Sequence, residues 1–457
     1  KMSNTNKKAA IGEDGIFDAR QLGMPKMLIL GIQHMFAMFG ATVLVPALTG
    51  LSVSTTLLFA GLGTLLFHFL ARGRVPAFLG SSFAFLAGYW AIAPKGEVHL
   101  LPYACFGVAC SGALYLILAA FIKAFGTGRV MKYFPPIVTG PIIIAIGLNL
   151  SQSAINNCEA NWWIALVAIA IVVVCNIWGK GMVKIVPIIL GVVGSYVVAA
   201  VTGNVDFTLV KEAAWIGMPV VWDRTVFAVF REPDVSLLVT SVITIMPIAL
   251  ATMVEHIGDM SAISSTVGRN YIKDPGLHRT LCGDGLATII ASLFGAPANT
   301  TYGENTGVLS LTKVYDPRVI RIAAGFAILF SFSPKVAAVI SVMPTATLGG
   351  VSLVLYGMIS AVGVRNVVEN QVDFSKSRNV IIAALILVLS IGINFSNNGA
   401  VVFQIGDIAI RLSGLAVGAL TGILLNAVLP GKDYTFDEEA PSDTCVDMSG
   451  TRKTTKR

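Results

Sequence analysis

Charge is what this chain has least of. Only 12% of its 457 residues are charged, where soluble domains carry about 25%, so most of its surface cannot face water. Cysteine is sparse too. The six cysteines follow no metal or disulfide spacing, and Cys105, Cys110, Cys175 and Cys282 lie in apolar runs, where they read as packing residues. The apolar runs hold no nucleophile–base or metal-ligand constellation, which argues against a membrane-embedded enzyme, and no cofactor is expected. The first 25 residues are polar and lack the apolar stretch of a removable signal peptide, so the first hydrophobic segment is expected to serve as an internal signal. A net charge of +7 would suggest nucleic acid in a soluble protein. Here basic loops between membrane segments account for it, and no nucleic-acid partner is expected.

What the chain has in abundance is apolar length. Hydrophobic residues make up 55%, and runs of about 20 residues, each long enough to cross a bilayer, recur from end to end. Fourteen segments are expected, near 27–48, 53–71, 75–93, 102–125, 135–151, 161–179, 185–202, 236–266, 280–296, 298–312, 319–341, 343–364, 378–394 and 408–428. Segments 3 and 10 are interrupted by Gly, Ser, Thr and Asn. The positive-inside rule supports counting them. With the N-terminus inside, all of the 32 Lys and Arg fall on the cytoplasmic side except Lys95, Lys211, Arg224, Arg231, Lys335 and Arg411. Dropping either weak segment would scramble that alternation. The reading is a multi-pass protein of the inner or plasma membrane with both termini cytoplasmic.

The chain also repeats itself. Gln33-His34 in segment 1 answers Glu255-His256 in segment 8. Pro76-Ala-Phe-Leu-Gly-Ser-Ser-Phe83 in segment 3 answers Pro297-Ala-Asn-Thr-Thr-Tyr302 in segment 10. Pro135-Pro136 at segment 5 answers Pro344 at segment 12. Each match lies seven segments on. Seven is odd, so the two halves have opposite orientation in the membrane. The fold class is therefore an all-α polytopic membrane protein built from two inverted seven-segment repeats, a transporter device whose site lies where interrupted segments meet.

Irregular backbone at membrane depth is tolerated only where it is buried or lines a cavity. Gly80-Ser-Ser-Phe83 and Asn299-Thr-Thr-Tyr302-Gly303-Glu304-Asn305 are thus candidate binding stretches, with Phe83 and Tyr302 offering flat faces. Acids inside apolar segments are functional candidates by default. Glu255 and Asp259 are four apart on one face of segment 8, Asp284 opens segment 9, and Glu304 sits in segment 10. No Lys or Arg lies inside these segments, so the acids are expected to lack ionic partners and to carry protons. Gln33 and His34 read as hydrogen-bonding support. Carboxylates, free backbone amides and aromatic faces suit a flat, uncharged ligand with N–H and C=O groups, such as a pyrimidine or purine base. An anion carrier or channel of the same architecture would want a cationic site.

The stretch Glu304-Asn-Thr-Gly307-Val-Leu-Ser-Leu-Thr312-Lys313 resembles the defining motif of the nucleobase–ascorbate transporter family, also called nucleobase:cation symporter-2. Gln33 to Pro46, Gly80 to Phe85, and Asp274-Pro-Gly-Leu-His278-Arg279 are similar to its uracil-transporting members. The resemblance runs from about Pro25 to Ala427. It implies short antiparallel strands in segments 3 and 10, and an elevator-type division of the chain. Residues 1–26 form an N-terminal tail, 27–125 and 236–342 a core domain, 126–235 and 343–429 a gate domain, and 430–457 a disordered cytoplasmic tail. It further implies that Glu255, Glu304 and the backbones of Phe83 and Gly303 bond the base, that Ala41, Phe83 and Tyr302 line the pocket, and that members act as proton symporters and homodimers. Asp259 and Asp284 would serve proton coupling, with Tyr356 and Asn305 in support and Tyr356 facing Asp259 from the gate side. Two positions depart from the uracil-transporting pattern, which has His where Asp259 stands and Asn where Asp284 stands. Those two acids resemble the purine-transporting branch, whereas Glu304 favours uracil. A xanthine or mixed-base carrier, and sodium in place of the proton, are the alternatives.

Overall fold

The computed structural model describes residues 15–405, 408–432 and 434. The expectation of a disordered tail falls almost entirely outside them. Among the described residues, seven helices are long and apolar enough to span a bilayer: Met24–Thr49, Val53–Leu70, Leu101–Phe125, Pro136–Glu159, Val235–Val267, Thr345–Glu369 and Ser377–Asn394. They are segments 1, 2, 4, 5, 8, 12 and 13. Segments 6, 7, 9 and 14 are shorter helices, Trp162–Trp178, Pro187–Val201, Leu277–Leu293 and Gly414–Val428. Segment 8 carries a 3-10 turn at Met246–Ile248, where Pro247 removes a helical N–H and forces the break.

Segments 3 and 10 are part strand, part helix, as expected. Strand β1, Leu79–Ser81, runs into a 3-10 turn at Phe83–Phe85 and the helix Leu86–Ile92. Strand β2, Asn299–Thr301, is followed by the helix Glu304–Thr312. The two strands pair antiparallel, with Gly80 opposite Thr300.

Three expected segments take a different form. Segment 11 is not one straight span: Pro317–Ser331 and Pro334–Ser341 meet at 85°, because Pro334 cannot continue the preceding hydrogen-bond ladder. Segment 14 does not begin at 408. Residues Ile408–Ser413 form strand β4, which pairs antiparallel with β3, Ala400–Ile405. The run Val401-Val-Phe-Gln-Ile405 is rich in β-branched and aromatic residues ahead of Gly406-Asp407, a two-residue hairpin signal that apolar length alone conceals. Segment 1 starts at Met24, and part of the expected N-terminal tail is docked. Ile16 donates its N–H to Lys313 O at 2.8 Å and accepts from Tyr315 N at 2.8 Å, while Ala19 N–H reaches Asp316 Oδ2 at 2.7 Å.

Helix packing obeys the inverted repeat. Segment 2 packs on 11 as 9 packs on 4, and 1 packs on 11 as 8 packs on 4. Segment 6 lies along 7 as 13 lies along 14, and 12 meets 6 as 5 meets 13. Segments 5 and 12, each the other's counterpart, share the longest seam. Glycine makes that seam close: a Cβ on Gly147 would stand 2.3 Å from Tyr356 O, and one on Gly363 2.6 Å from Ile144 N. Small residues at helix crossings are how membrane helices gain packing without a hydrophobic drive between them.

Candidate functional site

The strand pair is held by threonines. Thr64 of segment 2 accepts Leu79 N–H at 2.9 Å. Thr288 of segment 9 accepts Asn299 N–H at 3.2 Å and donates to Asn299 O at 3.0 Å. Leu79 and Asn299 open their respective strands, so the two clamps are counterparts in the repeat. The pairing extends by one bond at each end, from Tyr302 N–H to Phe78 O at 3.1 Å and from Ser82 N–H to Ala298 O at 3.0 Å. Buried backbone groups that no helix satisfies thus find partners. Ser81 Oγ donates to Thr42 O on segment 1 at 2.9 Å, and Tyr302 donates its hydroxyl to Ser81 O at 2.8 Å. The Tyr302 ring crosses Gly80, where a Cβ would stand 2.6 Å from ring carbons.

Each strand passes within a few residues into a helical turn, so the first N–H groups of both turns, which have no intrahelical acceptor, lie beside the strand crossing. Segment 8 supplies the acids there. Asp259 is 7% exposed, and its Oδ1 lies 2.8 Å from the point where a Cβ on Gly303 would stand. A side chain at Gly303 would displace that carboxylate oxygen. Glu255, one turn earlier on the same face, is half-buried.

Asp284 is not the partnerless acid expected from the scarcity of basic residues. Its partner is His256, fully buried with it: Nδ1 lies 2.8 Å from Asp284 Oδ2. Thr301 of β2 donates its N–H to the same oxygen at 3.0 Å and its hydroxyl to Oδ1 at 2.8 Å. With the carboxylate ionised, Nδ1 carries a proton. Nε2 lies 2.9 Å from Thr280 Oγ1. The cluster binds segments 8 and 9 to β2 and fixes the strand's last residue.

Phe83 is buried and packs edge-on to Tyr356 of segment 12, with ring centroids 5.7 Å apart. Tyr356 was expected to face Asp259; its ring contact is with Phe83. Ala41 and His34 are buried on segment 1, and Gln33 is half-buried. Glu304 and Asn305 open the helix after β2, but their side chains lie outside the described residues. The structure therefore brings Asp259 to Gly303, Tyr302 to Gly80, and Phe83 to Tyr356. Among the described residues, no group of three or more His, Cys, Asp or Glu could hold a metal ion. Thr42, Thr64, Thr280 and Thr288 escaped sequence reasoning as site residues, whereas Thr301 lay within the candidate stretch that opens at Asn299. Thr64 and Thr288 lie on segments 2 and 9, counterparts in the repeat, each next to a broken segment.

Comparison with known proteins fits this geometry. The sequence model of a permease family matches residues 25–399. The uracil permease of Bacillus caldolyticus is 41% identical over 428 residues, covering 91% of this chain and 95% of that protein. That of Escherichia coli K12 is 38% identical over 411 residues, covering 87% and 90%. The putative pyrimidine permease RutG of the same organism is 36% identical over 430 residues, covering 90% and 91%. Among solved structures, the transmembrane domain of a cyanobacterial bicarbonate transporter, BicA, aligns with a TM-score of 0.55 at 13% identity, over 90% of this chain and 99% of that one. The murine anion transporter Slc26a9 aligns at 0.61 and 13% identity, over 89% and 68%. Those two likenesses are of fold alone. Family motif, inverted repeat and near full-length relatives converge: the chain is a multi-pass membrane protein that belongs to this permease family, the nucleobase:cation symporter-2 family.

Proposed function

We propose that the protein imports a nucleobase, uracil before other bases, by proton symport across the inner or plasma membrane. The observation that carries this reading is the approach of Asp259 to Gly303, with Glu255 on the same face of segment 8, at the crossing of two interrupted segments. Carboxylate acceptors and backbone N–H donors converge there beside the rings of Phe83 and Tyr302. A pyrimidine offers N–H groups to the one and C=O groups to the other. It needs no counter-charge, which an anion would. The uracil permeases that share 38–41% of the sequence support the choice of base.

In this account Glu255 and Glu304 bond the base, the amides of Phe83 and Gly303 complete its pairing, and Ala41 lines the pocket. Gln33, His34 and Asn305 support it. A proton taken up by Glu255 or Asp259 from outside removes one negative charge from the site and so lowers the cost of moving it through a low-dielectric path. The His256–Asp284–Thr301 cluster keeps β2 in place while this happens. The paired segment families suggest the bodies that move. Segments 1–4 and 8–11 form a core that carries the site, and segments 5–7 and 12–14 form a gate against which it slides, with Tyr356 on the gate side of Phe83. Both termini are cytoplasmic, and the working unit is a homodimer.

Equilibrium binding of radiolabelled uracil to the purified chain, with unlabelled xanthine as competitor, tests the substrate. Displacement by uracil and not by xanthine is expected. Equal displacement by xanthine would favour the purine reading, to which Asp259 and Asp284 already lean.

A further inference from the structure

A second polar site lies away from the strand crossing. On the face that carries the docked N-terminal stretch, a cavity of about 230 Å³ opens between the link of segments 2 and 3, the end of segment 8 and the start of segment 11. Its charged lining is Arg74, Arg269, Arg318, Arg321, Asp18 and Asp316. The two carboxylates are already engaged. Asp18 accepts from Arg20 at 2.7 Å and Arg318 at 2.9 Å. Asp316 accepts the N–H groups of Ala19 at 2.7 Å and Arg318 at 2.9 Å, and Arg318 Nη1 at 3.3 Å. Arg74 is paired with Asp274.

Arg269 and Arg321 remain. Among the described residues, neither has a carboxylate within ion-pair distance. Arg269 is held by its guanidinium stacking 4.2 Å over the ring of Phe17, which leaves its N–H edge free. Arg321 is exposed and passes close to Gly73, with Nη2 and Nη1 3.9 and 4.0 Å from where a Cβ there would stand. Two guanidinium forks facing one cavity, with neighbouring carboxylates already satisfied, match the bidentate geometry of a phosphate. The cavity is smaller than the roughly 300–1,000 Å³ of pockets that enclose a drug-sized ligand. It suits a phosphate head whose remainder projects outward.

We infer that this cavity binds a phosphate group, carried either by a free anion in solution or by the headgroup of an acidic phospholipid, through Arg269 and Arg321. The bound phosphate joins segment 8, which Arg269 ties to the N-terminal stretch by its stack on Phe17, to segment 11, on which that stretch is already docked. The uncharged base proposed for the central site has no use for such a cavity, so the two readings stand or fall separately.

Thermal unfolding of the full chain in lipid nanodiscs tests the inference. One arm uses phosphatidylcholine discs with added inorganic phosphate against sodium chloride at equal ionic strength. The other replaces part of the phosphatidylcholine with phosphatidylglycerol. A rise in Tm in the first arm identifies a free anion, and a rise only in the second identifies a headgroup. In either case the rise should vanish in the double variant Arg269→Gln/Arg321→Gln, which breaks no ion pair, gives up the stack of Arg269 on Phe17, and is compared with its own Tm without phosphate. Arg321→Lys, which keeps the charge and loses the fork, should need about tenfold more ligand for the same rise, the equivalent of losing one charge-assisted hydrogen bond. No rise in either arm overturns the inference, as does a rise that persists in the double variant.

Discussion

The ring of Tyr302 fills the space that a side chain at Gly80 would need: a Cβ there would stand 2.6 Å from two ring carbons and 2.8 Å from Thr42 Oγ1. The ring cannot swing away without losing the bond from its hydroxyl to Ser81 O. Gly80→Ala should therefore push the strands apart, at about the 1–3 kcal/mol typical of overpacking. A lower Tm together with at least a severalfold loss of uracil binding is the expected result. A variant that binds and melts like the wild type would show that the contact is slack.

The cluster around Asp284 predicts a graded pair of variants. Asp284→Ala strands the Thr301 N–H in a dry interior and leaves His256 Nδ1 only Thr301 Oγ1, at 3.1 Å; leaving a buried donor unsatisfied costs about 1–3 kcal/mol. Asp284→Asn keeps an oxygen for the Thr301 N–H and should lose less. Thermal unfolding and the yield of folded protein separate the two. Equal melting of Asp284→Ala and wild type would remove the cluster's role in fixing β2.

Much of this architecture was legible in the sequence because the bilayer is an unforgiving solvent. Apolar length located the helices, and interruptions such as Gly80-Ser-Ser and Asn299-Thr-Thr could only be non-helical backbone buried in protein or lining a cavity. What was hidden is where apolar content is shared between structures. The residues of β4 are as hydrophobic as a helix start, so segment 14 was read six residues too long. The bend at Pro334 turns the end of segment 11 under the loop after segment 7, where Gly217 N–H reaches Phe332 O at 2.9 Å, and hydropathy has no sense of direction. The partner of Asp284 was missed for a related reason. His256 sits next to Glu255 in the sequence but turns about 100° away from it, toward segment 9, and sequence spacing does not say what lies across a helix crossing.

The assignment of uracil rests in part on Glu304, and a single substitution examines it. Glu304→Gln should weaken uracil binding by about tenfold or more, the scale expected when a charged acceptor facing a substrate N–H becomes neutral, and should narrow the preference over xanthine. Competition binding with both bases reads the two effects together. Unchanged selectivity would take Glu304 out of the choice of base.

Phe83 and Tyr356 meet across the two segment families, at 5.7 Å and an interplanar angle of 73°. If the core slides against the gate, this edge-to-face contact must break in each cycle. Tyr356→Phe keeps the ring contact and should bind uracil as the wild type does. Tyr356→Ala removes it, and the expected result is an altered uptake rate with affinity changed by about two- to tenfold, the equivalent of the 0.5–1.5 kcal/mol that aromatic pairs contribute, drawn from one end of the cycle. Loss of binding in both variants would place Tyr356 in the pocket itself.

The central claim is that an acid on segment 8 couples the base to the proton. Its most direct test is accumulation of radiolabelled uracil in proteoliposomes with and without an inward proton gradient, for the wild type and Glu255→Gln. The account predicts gradient-dependent accumulation by the wild type and none by the variant. Accumulation that ignores the proton gradient, follows sodium instead, or survives in Glu255→Gln would contradict it.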